Sequence, residues 1–102
     1  MADSRLIQVQ KAAANTPSLA TSTTAIAAND ARAGWSLQNQ GTAILYVRLG
    51  SGASTSVFHF SLKPGTTNDD GTGGSVSQTD GVVYTGIITV AGSPIRYTAL
   101  EL

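Results

Sequence analysis

The chain has no cysteine, few charges and no long apolar run, and each absence removes a class of protein. Without cysteine there is neither a disulfide framework nor a thiolate metal site. Charged residues make up 12% of the sequence, against about a quarter in an ordinary soluble domain, and six Lys or Arg balance six Asp or Glu. A neutral chain lacks the basic footprint needed to neutralise phosphates, so no nucleic-acid partner is expected. No stretch is long and apolar enough to span a bilayer. The opening "MADSRLIQVQKAAANTP" places Arg5 and Lys11 where a signal peptide needs an unbroken apolar region. No membrane partner is expected, and synthesis and assembly in a cytoplasm follow. At 102 residues the chain supplies one core and one domain.

What the chain has in abundance is small residues: Ala, Gly, Ser and Thr make up nearly half of it. Such a surface with zero net charge tends to associate, which hints at burial in an assembly and at a homo-oligomer. A plain β domain with threonine-rich wet faces would show the same composition.

Alternation with a period of two runs through the chain from Ser18 onward, without helical periodicity. "SLATSTTAI" reads as a strand with one wet face. Trp35 and Leu37 share one side of the next strand. Beyond Asn39-Gln40-Gly41-Thr42, Leu45, Val47 and Leu49 share a face opposite Ile44, Tyr46 and Arg48, so residues 35–49 are predicted to form a hairpin. "VFHFSL" puts Phe58, Phe60 and Leu62 inward and His59 outward, and Lys63-Pro64-Gly65 stops that strand. Residues 65–75, with four glycines and no large apolar group, form a loop, and Asp80-Gly81 is predicted to be a tight hairpin turn. Tyr84, Gly86, Ile88 and Val90 share a face, as do Ile95, Tyr97 and Ala99. Six to eight short strands with turn signals about every ten residues predict an all-β, antiparallel β-sandwich or flattened barrel over residues 18–102. Residues 1–17 are a lead-in in which Leu6 opposes Ile7 and Val9 and Pro17 interrupts the chain; "KAAAN" could extend into a turn. The lead-in is either an edge strand or an arm that adds to a neighbour's sheet, with Arg5, Leu6, Ile7 and Val9 as the candidate interface.

Candidate chemistry is sparse. His59 has no second histidine or cysteine to complete a metal set, and no G-x-S-x-G elbow is present. Asp69 and Asp70 in "NDDGTGG" carry hard oxygens, but adjacent aspartates cannot fill alternate ligand positions and no glutamate closes the loop, so a solvated loop is expected. "GTGG" and "GSGAS" are too short to cradle phosphate and open no helix. Arg32, Arg48 and Arg96 are expected on wet surfaces. Trp35 is read as core, with an interface anchor as the sharper alternative. No catalytic residue, cofactor or metal site is assigned.

The segments "RAGWSLQNQGTAILYVRLGSGAS", "FHFSLKPGT" and "YTGIITVAG" together resemble small β-sandwich virion structural proteins of tailed bacteriophages, over residues 32–99. The resemblance implies a non-enzymatic component of the virion, most often a decoration or cement protein bound to the major capsid protein. A tail, neck or fibre component is the alternative, and a carbohydrate- or ligand-binding module is a third. The third wants exposed aromatic platforms, whereas the six aromatic residues are mostly assigned to core faces.

Overall fold

A computed structural model describes residues 11–18, 21–79 and 82–102. They form eight strands and no helix: β1 (Lys11–Ser18), β2 (Ser22–Ile26), β3 (Gly34–Asn39), β4 (Leu45–Leu49), β5 (Phe60–Leu62), β6 (Ser75–Thr79), β7 (Ile88–Ala91) and β8 (Ile95–Glu101). The strands make two four-stranded antiparallel sheets, ordered β1-β8-β3-β6 and β2-β7-β4-β5. The sheets stay open rather than closing into a barrel, so the architecture is a β-sandwich.

The chain moves between sheets at nearly every connection; only β4 and β5 are consecutive in sequence and paired. The hairpin expected over residues 35–49 is therefore overturned. β3 lies between β8 and β6, while β4 lies between β7 and β5 in the other sheet. Residues 40–44 cross the layers instead of reversing within one. The physical reason lies at Asn39, which is fully buried. Its Nδ2 donates to the carbonyl oxygens of Ala43 (2.8 Å), Leu62 and Lys63 (both 3.1 Å), and its Oδ1 accepts from the Gly41 amide at 2.9 Å. This side chain at the end of β3 thus holds the end of β5 in the opposite sheet. Asp80-Gly81 lies outside the described residues, and the strands flanking it, β6 and β7, lie in different sheets.

The inward positions follow from period-two alternation. Trp35, Leu37, Ile95, Tyr97 and Ala99 come from one sheet, and Ile26, Leu45, Val47, Leu62, Ile88 and Val90 from the other; together they form the core. Each fully buried Val, Leu or Ile contributes roughly 1.5–3 kcal/mol. Trp35 is wholly inside, with its Nε1 donating to Gln78 Oε1 at 2.8 Å across to β6, so the interface-anchor alternative does not hold within this chain. Leu49 is only partly buried, at the core margin. Phe58 departs from expectation: it precedes β5, is 40% exposed, and packs its ring on Tyr46 with centroids 4.8 Å apart. The alternation that turns Phe60 and Leu62 toward the core holds only while the chain is extended.

β1 pairs with β8 from Lys11↔Glu101 to Ser18↔Ile95, with an irregularity between Ala13 and Thr16. Pro17 does not interrupt the chain ahead of the sandwich; it sits within β1, opposite Arg96. An edge strand tolerates proline because its outer N–H has no ladder partner to lose. "KAAAN" is strand rather than turn. Residues 11–17 of the lead-in are thus an edge strand of the sandwich, and residues 1–10 lie outside the described residues.

Val47 tests the two-layer core most simply. It is 0% exposed and paired on both sides, with Val90 and with Phe60. Val47→Asp buries an unpaired carboxylate, at a cost well above that of an unpaired buried amide or hydroxyl. The variant is expected to lose its cooperative thermal transition and its dispersed amide spectrum. A folded Val47→Asp protein would refute the assignment of β4 to the core.

Candidate functional site

The two ends of β3 are braced by different buried polar groups. Asn39 serves at its C-terminal end. At the other end stands Arg32, which the sequence placed on a wet surface and which is in fact 5% exposed. Its Nε donates to Glu101 Oε2 at 3.2 Å, with both side chains essentially solvent-free. Nη1 donates to the carbonyls of Tyr84 (2.6 Å) and Gly86 (3.1 Å), and Nη2 to that of Ala27 (2.6 Å). One guanidinium therefore ties together the chain leaving β2, the connection entering β7 and the end of β8. A guanidinium suits this position because its donors diverge in a fixed plane. Asn29 Nδ2 adds a further bond to Glu101 Oε2, at 2.7 Å.

Both donors to the carboxylate use the same oxygen. Glu101 Oε1 is buried and is the only buried side-chain polar atom without a hydrogen-bond partner among the described residues. Glu101 also lines a groove of about 450 Å³ between the sheets, on the side where the edge strands β1 and β2 lie. Five of its nine lining residues are alanines, Ala12 and Ala13 of β1, Ala25 of β2, Ala27 just beyond and Ala99 of β8, with Ile26 and Leu100 as the larger aliphatic ones. The opposite side, between β5 and β6, is closed by the Asn39 bonds and by the Gly74 amide donating to the Lys63 carbonyl at 2.9 Å.

The remaining candidates are built into turns. Asp70 Oδ2 accepts from the Thr67 amide (2.9 Å) and hydroxyl (3.2 Å), and its Oδ1 from the Thr72 amide (2.9 Å) and hydroxyl (2.6 Å). Asp69, at a left-handed φ of 61°, makes a two-pronged ion pair with Arg96 through Nε (2.8 Å) and Nη2. All four carboxylate oxygens thus face donors of the chain itself. His59 is exposed; its Nδ1 accepts from the Leu49 amide at 3.0 Å, holding the start of the β4–β5 connection. Thr89, buried in β7, donates to the Gly50 carbonyl (2.6 Å) and accepts from the Ala53 amide (3.1 Å), fixing the first residues of that loop. The candidate interface residues Arg5, Leu6, Ile7 and Val9 lie outside the described residues.

Glu101 and Asn39 were missed because a polar residue reads as surface until its phase is counted. Glu101 continues the inward series Ile95, Tyr97, Ala99, and that phase is a signal in the sequence. Nothing comparable marks Arg32, three of whose four acceptors lie more than fifty residues away in the chain.

The loop carboxylates generate a pH prediction. Hydrogen bonds from the Thr72 hydroxyl and amide, then from Thr67, hold the Asp70 carboxyl far below its ordinary value of 3.8; the Arg96 bond lowers Asp69. A carboxyl depressed in the folded state binds fewer protons there than in the unfolded chain. Its contribution is therefore present above the ordinary carboxylate range and is lost as pH falls below it. In an NMR titration, the Asp70 carboxyl shift and the Thr72 amide are expected to stay unchanged from pH 7 down through pH 4. Titration of Asp70 at the ordinary value would show that these bonds are not made in solution.

Comparisons of the chain with protein families, with curated proteins and with solved structures returned no match.

Proposed function

We propose that the chain is a non-enzymatic structural protein of a bacteriophage virion, most specifically a decoration protein that stabilises the capsid by binding the major capsid protein. The observation that carries this reading is the disposition of polar and apolar groups. Arg32, Asn39, Thr89 and Glu101, the buried polar residues, are spent on bracing strand to strand and sheet to sheet. Apolar groups meanwhile stand out on the β4 side of the sandwich: Ile44 and Phe58 are 43% and 40% exposed, and Phe58 lies against Tyr46. Exposed apolar groups beside β4 suit contact with another protein. The Tyr46 and Phe58 rings are inclined at 55° to one another, so the pair does not offer the single flat platform on which a sugar ring stacks. The resemblance of residues 32–99 to tailed-phage virion sandwiches supports the same reading. The mechanism is passive: a subunit that binds the assembled shell and not its dissociated parts shifts the equilibrium toward the shell by mass action.

Quantifying the chain by gel in purified virions of the phage that encodes it tests the proposal. A copy number in the hundreds is expected of a decoration protein. A handful of copies would move it to the tail or neck, and its absence from the particle would overturn the reading.

A further inference from the structure

The groove between β1 and β2 is the one part of the sandwich whose chemistry is incomplete among the described residues. Five of its nine lining residues are alanines, beside the larger Ile26 and Leu100, and Glu101, with Oε1 unsatisfied, forms part of its lining. A buried carboxylate oxygen without a donor is costly, and such sites are completed by whatever occupies the space. An occupant that brings aliphatic bulk and a hydrogen-bond donor together would complete it. Among the described residues, the strands on either side, β1 and β2, are sheet edges with one unpaired backbone side each, which receive an extended segment well.

We infer that the groove receives the segment preceding β1 of a second copy of this chain, which makes the groove a subunit-to-subunit socket. Only the composition of residues 1–10 enters the argument. "SRLIQVQ" alternates as a strand, carries Leu6, Ile7 and Val9 for the alanine walls, and has Arg5 as a guanidinium donor for Glu101. The inference rests on the assembly reading and deepens it by naming the joint.

The natural absence of cysteine makes the test direct. Full-length copies carrying Leu6→Cys, Ile7→Cys or Val9→Cys are mixed with tagged full-length copies carrying Ala25→Cys, oxidised, and run without reductant. Ser61→Cys, on β5 at the far edge of the same sheet, is the control partner. At least one arm position is expected to form a mixed disulfide with Ala25→Cys several-fold faster than with Ser61→Cys. Arg5→Ala in the arm copy is expected to cut that rate about tenfold, as loss of a bond to a buried charged acceptor does. Equal rates with both partners would overturn the inference. So would a doubly substituted chain that closes only on itself, since the arm would then lie in its own groove. Light scattering on the wild-type protein separates the two readings. Oligomers without the Ala25 cross-link leave the assembly proposal standing and remove the socket, whereas a cross-link in a chain absent from virions does the reverse.

Discussion

A single buried guanidinium holds one end of the sandwich. Arg32 supplies donors to three backbone carbonyls and one carboxylate, at Ala27 close by in the chain and at Tyr84, Gly86 and Glu101 more than fifty residues away. The connections it reaches run between sheets and cannot satisfy these carbonyls in a ladder. Buried without partners, each would cost about 1–3 kcal/mol. The brace also explains how so sparsely charged a chain can bury an ion pair. The attraction offsets desolvation only because the remaining donors of the guanidinium are filled as well.

The same economy governs the rest of the fold. A chain that changes sheet at nearly every connection has few hairpins to close its turns locally, so side chains close them. Asn39 does this where β3 meets β5, Thr89 where the β4–β5 loop leaves β4, and Asp70 within the loop before β6. Polar side chains thereby become scaffold. The exception is Glu101, which is half satisfied by Arg32 and Asn29 and half open beside the alanine-lined groove. Both ends of β3 are thus braced by buried side chains, whereas among the described residues the side between β1 and β2 keeps an open groove.

Much of this was legible in the residues and some was not. Strand phase was legible: Leu45 and Val47, Trp35 and Leu37, and Ile95, Tyr97 and Ala99 point inward because a pleated chain alternates and apolar groups leave water. Partner choice was not. Two well-patterned strands joined across Asn39-Gln40-Gly41-Thr42 read as a hairpin, yet residues 40–44 span the gap between sheets when a buried Asn39 anchors them. Phe58 was misplaced by extending alternation beyond the strand that enforces it. Arg32 was misplaced because charge favours solvent on average, and only its distant acceptors reverse that preference.

The central role of the brace is tested most directly by a double-mutant cycle in urea unfolding with Arg32→Ala, Glu101→Ala and the pair. Removing one partner of a buried ion pair costs about 3–5 kcal/mol, and Arg32→Ala should cost more than Glu101→Ala because it also strands three carbonyls. The double variant should be less destabilised than the sum of the singles by about 1 kcal/mol or more, within the range found for residues in contact. An Arg32→Ala variant that loses less than about 1 kcal/mol would show that the sandwich does not depend on Arg32, and losses that simply add would show that Arg32 and Glu101 do not act as a pair.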